Sequence, residues 1–112
     1  ALSVRMANTI AKEARGRADY FHIAGPRVNR SDEDRFFRPL QDLRVGDARV
    51  YLGLIHELDG VEGLQMRTTH ARKYLKDFGI ASTCGFGRHS GEEMEASLRT
   101  HRADVEAFVK SV

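Results

Sequence analysis

The sequence predicts an α/β protein built on a parallel sheet, and three observations carry that prediction. Stretches of β-strand character alternate with stretches of helical period along the chain, the order that parallel βα units produce. The middle stretch, Arg49–His56 (RVYLGLIH), is apolar almost without interruption, the mark of a strand covered on both faces. A third strand, Gly79–Thr83, runs into Cys84-Gly-Phe-Gly-Arg88 and a helix start at Ser90. Chemistry in α/β proteins gathers just past such strand ends.

In chain order, residues 3–16 place Val4, Ala7, Ile10, Ala11 and Ala14 at helical spacing, with Gly16 as a stop. Asp19–Ala24 (DYFHIA) is short, aromatic and β-branched, and Gly25-Pro26 breaks it, so it reads as a strand. In the long polar segment after Pro26, Ser31-Asp-Glu-Asp opens like a helix cap. One or two turns are expected from there to Phe37, ended by Pro39. After the second strand, Asp59-Gly60 closes a loop and a helix is expected to reach Phe78. Leu64, Ala71, Tyr74, Leu75 and Phe78 form its apolar stripe, and Gly79 suits its C-cap. Ser90-x-x-Glu93 is a capping box. The helix it starts has Met94, Leu98, His101, Val105 and Phe108 as its apolar face.

Three strands are too few to finish such a sheet. A (β/α)₈ barrel needs about 250 residues, and an open three-stranded parallel sheet leaves strand edges unpaired. The chain is therefore expected to be a piece of a larger barrel, or to complete its sheet with another copy or another polypeptide.

Composition narrows the function classes. With 112 residues the chain is one domain or less, and a net charge of +2 with scattered arginines does not suggest a nucleic-acid partner. No apolar run approaches the roughly 20 residues of a membrane span, and no signal segment opens the chain. The single cysteine excludes an internal disulfide and fits a reducing compartment, so a cytoplasmic location is expected.

Cys84 sits between a strand and two glycines, where Arg88 and the following helix N-terminus would both favour a thiolate. It reads equally as a small buried hydrophobe at a strand end. His56 ends the best strand and is followed by Glu57 and Asp59. It reads either as a general acid/base with a carboxylate at hand or as a polar cap on the strand. His22 shares a strand face with Ala24, and reads as a residue reaching a barrel mouth or as a core histidine. The bend holding Gly85, Gly87 and Arg88 offers backbone N–H groups and a cation to an anionic group, or is an ordinary tight turn. Arg27, Arg30 and Arg35 make the long loop positive, as an anion site or as solvated surface. His70 and His101, on helices, read as structural, and His89 has no assignable role.

The pair VYLGLIH (50–56) and FGIASTCGFGR (78–88), separated by one helix, resembles the C-terminal end of cobalamin-independent methionine synthase. It is most similar to the methionine-synthase-like proteins of the uroporphyrinogen decarboxylase/methionine synthase superfamily. By that resemblance residues 1–112 are the C-terminal portion of a TIM barrel, its last three βα units. DYFHIAGPRV would be strand 6, RVYLGLIH strand 7 and GIASTC strand 8. The implied activity is methyl transfer to a thiol, with zinc activating the sulfur. Cys84 stands at the position of a zinc ligand and His56 at that of the catalytic proton carrier. Arg88, His22 and Glu57 would contact substrate. The sequence departs from the pattern in one respect: the family's glutamate ligand on strand 6 falls on Ala24, with His22 the only ligand type nearby. The His-x-Cys pair of strand 5 would lie before residue 1, so this chain cannot build the zinc site alone. Two alternatives accompany this expectation. One is a metal-free decarboxylase- or lyase-like relative using His56 and the arginines. The other is a non-catalytic module that oligomerises through its open sheet edges.

Overall fold

The computed structural model describes residues 2–25, 33–56, 60–82 and 90–111. Those residues form a mixed α/β fold of four α-helices and one three-stranded sheet. In chain order the elements are α1 (Leu2–Ala14), β1 (Tyr20–Ala24), α2 (Glu33–Phe37), a 3₁₀ turn (Arg38–Asp42) and β2 (Arg49–Ile55). They continue with α3 (Gly60–Arg72), β3 (Gly79–Ser82) and α4 (Gly91–Lys110). The sheet order is β1-β2-β3, and both pairings are parallel. Helical connections between successive neighbouring strands produce that order.

Register sorts the strand residues onto two faces. Phe21 lies beside Val50, and Ile23 beside Leu52 and Ile80. These residues join one core cluster, together with Val4 and Ala7 of α1, Phe37 of α2, Leu40 of the 3₁₀ turn, Leu64 and Ala71 of α3, and Val105 and Phe108 of α4. α1 packs against β1, α3 against β2 and α4 against β3. The opposite face carries His22 beside Tyr51 and Gly79, and Ala24 beside Gly53 and Ala81. There Tyr20 is 63% exposed, and His22 and Ala24 are also exposed.

α1 ends where Arg15 and Gly16 take positive φ and Arg17 N–H bonds back to Ala14. Only part of its expected stripe is core: Val4 and Ala7 are buried, whereas Ile10 joins Met6 on an exposed face. Asn8 clasps the segment leading into β2, donating from Nδ2 to the Asp42 carbonyl (2.9 Å) and accepting the Arg44 N–H at Oδ1 (2.6 Å). α2 ends at Phe37, as expected, and a 3₁₀ turn holding Pro39 follows it directly. The proline sits in the first turn of the 3₁₀ stretch, where its missing N–H costs nothing. The turn delivers Leu40 to the core.

Two expectations about the second half are corrected. α3 stops at Arg72, six residues short of Phe78, because its last turn tightens: Lys73 N–H reaches the His70 carbonyl, and the Tyr74 and Leu75 N–H groups both reach that of Ala71. Tyr74 and Leu75 therefore line the core from a turn, and Gly79 is no cap but the first residue of β3. A Cβ on Gly79 would fall 2.6 Å from the Tyr51 ring, so the glycine makes room for that ring. α4 is capped as expected, with Ser90 Oγ accepting the Glu93 N–H at 3.2 Å. Its buried face is rotated from the expected stripe, however: Ser97 and Asp104 are buried, and Leu98 is 55% exposed. Arg67 and Thr68 of α3, the helix that α4 packs against, are buried polar residues as well.

Candidate functional site

The central strand positions the site. β2 ends at Ile55, and His56 is the next residue, 8% exposed directly past the strand's C-terminal end. The residue is engaged with the rest of the molecule. The strand does not arrive there regularly. Gly53 pairs with Ala81 and Ile55 with Ser82, so Leu54 is skipped in the ladder with β3. A bulge of this kind bends a strand and re-aims the residues after it, and bulges recur beside active sites. The skipped residue gives its carbonyl oxygen to Nε of Arg67 on α3, in a buried hydrogen bond of 2.8 Å.

Sequence reasoning does not single out Arg67. It is completely buried, as is Asp104 on the packed helix α4, and Thr68 and Ser97 are buried with them. A signal is present as spacing. Leu64, Arg67, Thr68 and Ala71 fall on one face of α3, and Ser97, His101, Asp104 and Phe108 on one face of α4. Polar residues thus take stripe positions on two consecutive helices. The ends of these helices are joined by Arg72, which lies over the Phe108 ring at 5.4 Å and donates from Nη2 to Ser111 Oγ at 3.1 Å. His70 and His101 are half-buried and engaged, consistent with structural roles.

His22 is neither at the strand end nor in the core: it lies mid-strand on the uncovered face, exposed. Its Nε2 leans over Gly53, 3.3 Å from where a Cβ would stand. Beside it Tyr51 spreads over Gly79 and meets Tyr20 edge-on, the ring centroids 5.8 Å apart. Tyr51 is the register partner of His22 and precedes His56 by five residues. At about 3.3 Å per residue, His56 stands roughly 16 Å further along the sheet. The structure therefore does not bring the two histidines together. Glu57, Cys84 and Arg88 lie outside the described residues, as do Arg27, Arg30, Asp59 and His89. Among the described residues no three His, Cys, Asp or Glu side chains gather in a way that could hold a metal ion. The described residues thus do not by themselves build the zinc site that the resemblance implies.

Two open cavities lie at the other end of the sheet. One of about 690 Å³ is lined by Asp47, Arg49 and Tyr51 of the second strand region and by Asp77, Phe78 and Gly79. The other, about 430 Å³, lies between the end of α1 and the turn before β2, with Lys12, Asp19 and Arg44 in its walls. Both sit at the N-terminal ends of strands, the end that serves stability in barrel folds. No helix among the described residues is long and apolar enough to cross a membrane. No protein-family model, curated protein or solved structure matches the chain.

Proposed function

We propose that this chain is the closing segment of a methionine-synthase-like (β/α)₈ barrel of the cytoplasm, in which His56 moves the proton in methyl transfer to a thiol. One observation carries the reading. Parallel strands follow one another in chain order, their helices pack on one face, and a buried histidine stands just past the central strand. A doubly wound sheet reverses its strand order and covers both faces with helices. Consecutive order with helices on one side is the arrangement of a barrel wall and equally of one half of a doubly wound sheet, and in both the chemistry lies at the C-terminal strand ends. The remaining strands, from more chain or a second polypeptide, would then cover the face of Tyr20, His22 and Tyr51.

In the proposed reaction the substrate sulfur, having lost its proton, attacks the methyl carbon. The S–C bond forms as the bond to the donor heteroatom breaks, and the donor leaves with the electron pair. Protonation of that leaving atom by the imidazolium of His56 lowers the barrier, an effect of about 10²–10⁴-fold for a positioned acid. Arg88 and Glu57 are the proposed substrate contacts and Cys84 is the proposed metal ligand; His22, roughly 16 Å along the sheet from His56, drops out of that set.

The test is a complete barrel carrying this segment. His56→Gln is expected to lower kcat for thiol methylation at least a hundredfold, and Cys84→Ser to lower zinc content. Full turnover in both variants overturns the reading. Turnover that depends on His56 but survives exhaustive chelation replaces it with the metal-free relative, and a stable oligomer of the chain with no turnover replaces it with an interaction module.

A further inference from the structure

We infer that Arg67 is a positioning residue for His56, holding the bulged end of β2 so that the histidine leaves the sheet in one direction. The functional meaning of this inference rests on the proposal that His56 carries the proton; its geometry does not. Leu54, skipped in the ladder with β3, is two residues before His56, and its carbonyl oxygen accepts from Arg67 Nε at 2.8 Å. Leu54, Ile55 and His56 are all buried, so a carbonyl deprived of that donor has no solvent to turn to. A hydrogen bond from a guanidinium is shorter and stronger than a neutral one, and a planar donor fixes direction as well as distance.

Packing alone does not explain an arginine here. A charge removed from water is penalised heavily, and a well-packed apolar side chain in its place is often as stable or more so. Neighbouring stripe positions on α3 are in fact taken by Leu64 and Ala71, both completely buried. What the guanidinium supplies that leucine cannot is a donor reaching from the middle of α3 to a backbone acceptor in the sheet. Asp104 of the adjoining helix is likewise completely buried. The arginine thereby couples the α3–α4 pair to the strand end that carries His56. His56 and Gly60, the first residue of α3, are only four positions apart in the chain, so the hydrogen bond ties the strand end to the helix that follows it in sequence.

The test uses the 112-residue chain labelled for NMR. In the wild-type chain the Arg67 Nε–H is expected to be protected from exchange together with the amides of Ile55 and His56. Arg67→Gln is expected to speed exchange at those two amides at least tenfold and to shift the His56 ring signals. The amides of Phe21 and Val50 and the ring signals of His22 should stay unchanged. Arg67→Lys, which keeps a charged donor, should restore most of the His56 signal positions. An unprotected Nε–H in the wild type overturns the inference even where Arg67→Gln fails to fold. Unchanged His56 signals in a folded Arg67→Gln, or exchange that rises uniformly through the sheet, overturn it as well. If the NMR pattern holds while His56→Gln leaves turnover of the complete enzyme intact, the positioning stands and the functional reading falls.

Discussion

Replacing Gly79 by alanine puts one methyl group where the Tyr51 ring now lies. The new Cβ would stand 2.6 Å from two ring carbons, closer than such contacts occur, so the ring must move. Backbone strain is not at issue, because Gly79 is not among the positive-φ residues. Overpacking of this kind costs about 1–3 kcal/mol, within which loss of the edge-on contact with Tyr20 accounts for about 0.5–1.5 kcal/mol. Alanine returns about 0.4–1 kcal/mol by restricting the unfolded chain. The net expectation is a loss of about 1–2 kcal/mol, read as a fall of about 0.5–1 M in the urea midpoint at an unfolding slope near 2 kcal/mol/M. The same substitution in a Tyr51→Ala background meets no ring and should be neutral or slightly stabilising. The double-mutant cycle therefore predicts a coupling of about 2 kcal/mol between positions 51 and 79. Equal midpoint shifts in the two backgrounds would refute the claim that Gly79 exists to seat Tyr51.

Two further perturbations check the frame around the sheet. Asn8→Ala removes both hydrogen bonds between α1 and the Asp42–Arg44 segment, and should cost about 1–2 kcal/mol in urea unfolding, since each such bond contributes about 1 kcal/mol net; a loss below a few tenths would show the clasp to be idle. Ser90→Ala removes the acceptor for the Glu93 N–H and should cost about 1 kcal/mol, with Ser90→Asp near wild type; circular dichroism during denaturation measures both.

Much of the frame was legible because single residues there obey one rule at a time. The run VYLGLI could only be a buried strand, and Ser90 with Glu93 three residues on marked a helix start that the structure realises. Legibility failed where a residue answers to a partner distant in sequence. Gly79 resembles a cap in sequence, but α3 ends at Arg72 and Gly79 opens β3, where the space beside it is filled by the ring of Tyr51, nearly thirty residues earlier. Leu98 has the spacing of a core residue and is exposed, whereas Ser97 and Asp104 of the same helix are buried, a choice made by packing distant in sequence. The bulge at Leu54 has one local trace, Gly53 inside an otherwise apolar strand, a residue that often marks such an irregularity. For the candidate site, His56 at the strand end was readable from position alone. The donor that holds that end, Arg67, lies thirteen residues from its acceptor and belongs to another element.

The two sides of the sheet differ in a way that bears on what the uncovered side is for. On the helix side the strands present large branched or aromatic residues: Phe21, Ile23, Val50, Leu52, Ile80. On the other side Gly53, Gly79, Ala24 and Ala81 alternate with Tyr20, His22 and Tyr51. Glycine inside a strand weakens it and signals close approach by another group. Here the approaching groups are the chain's own: the His22 imidazole over Gly53 and the Tyr51 ring over Gly79. A second helix layer would have nothing to grip on such a face, because helix–sheet packing needs interlocking apolar side chains of core size. Rings standing over glycines leave this face without the interlocking branched side chains that fill the helix side.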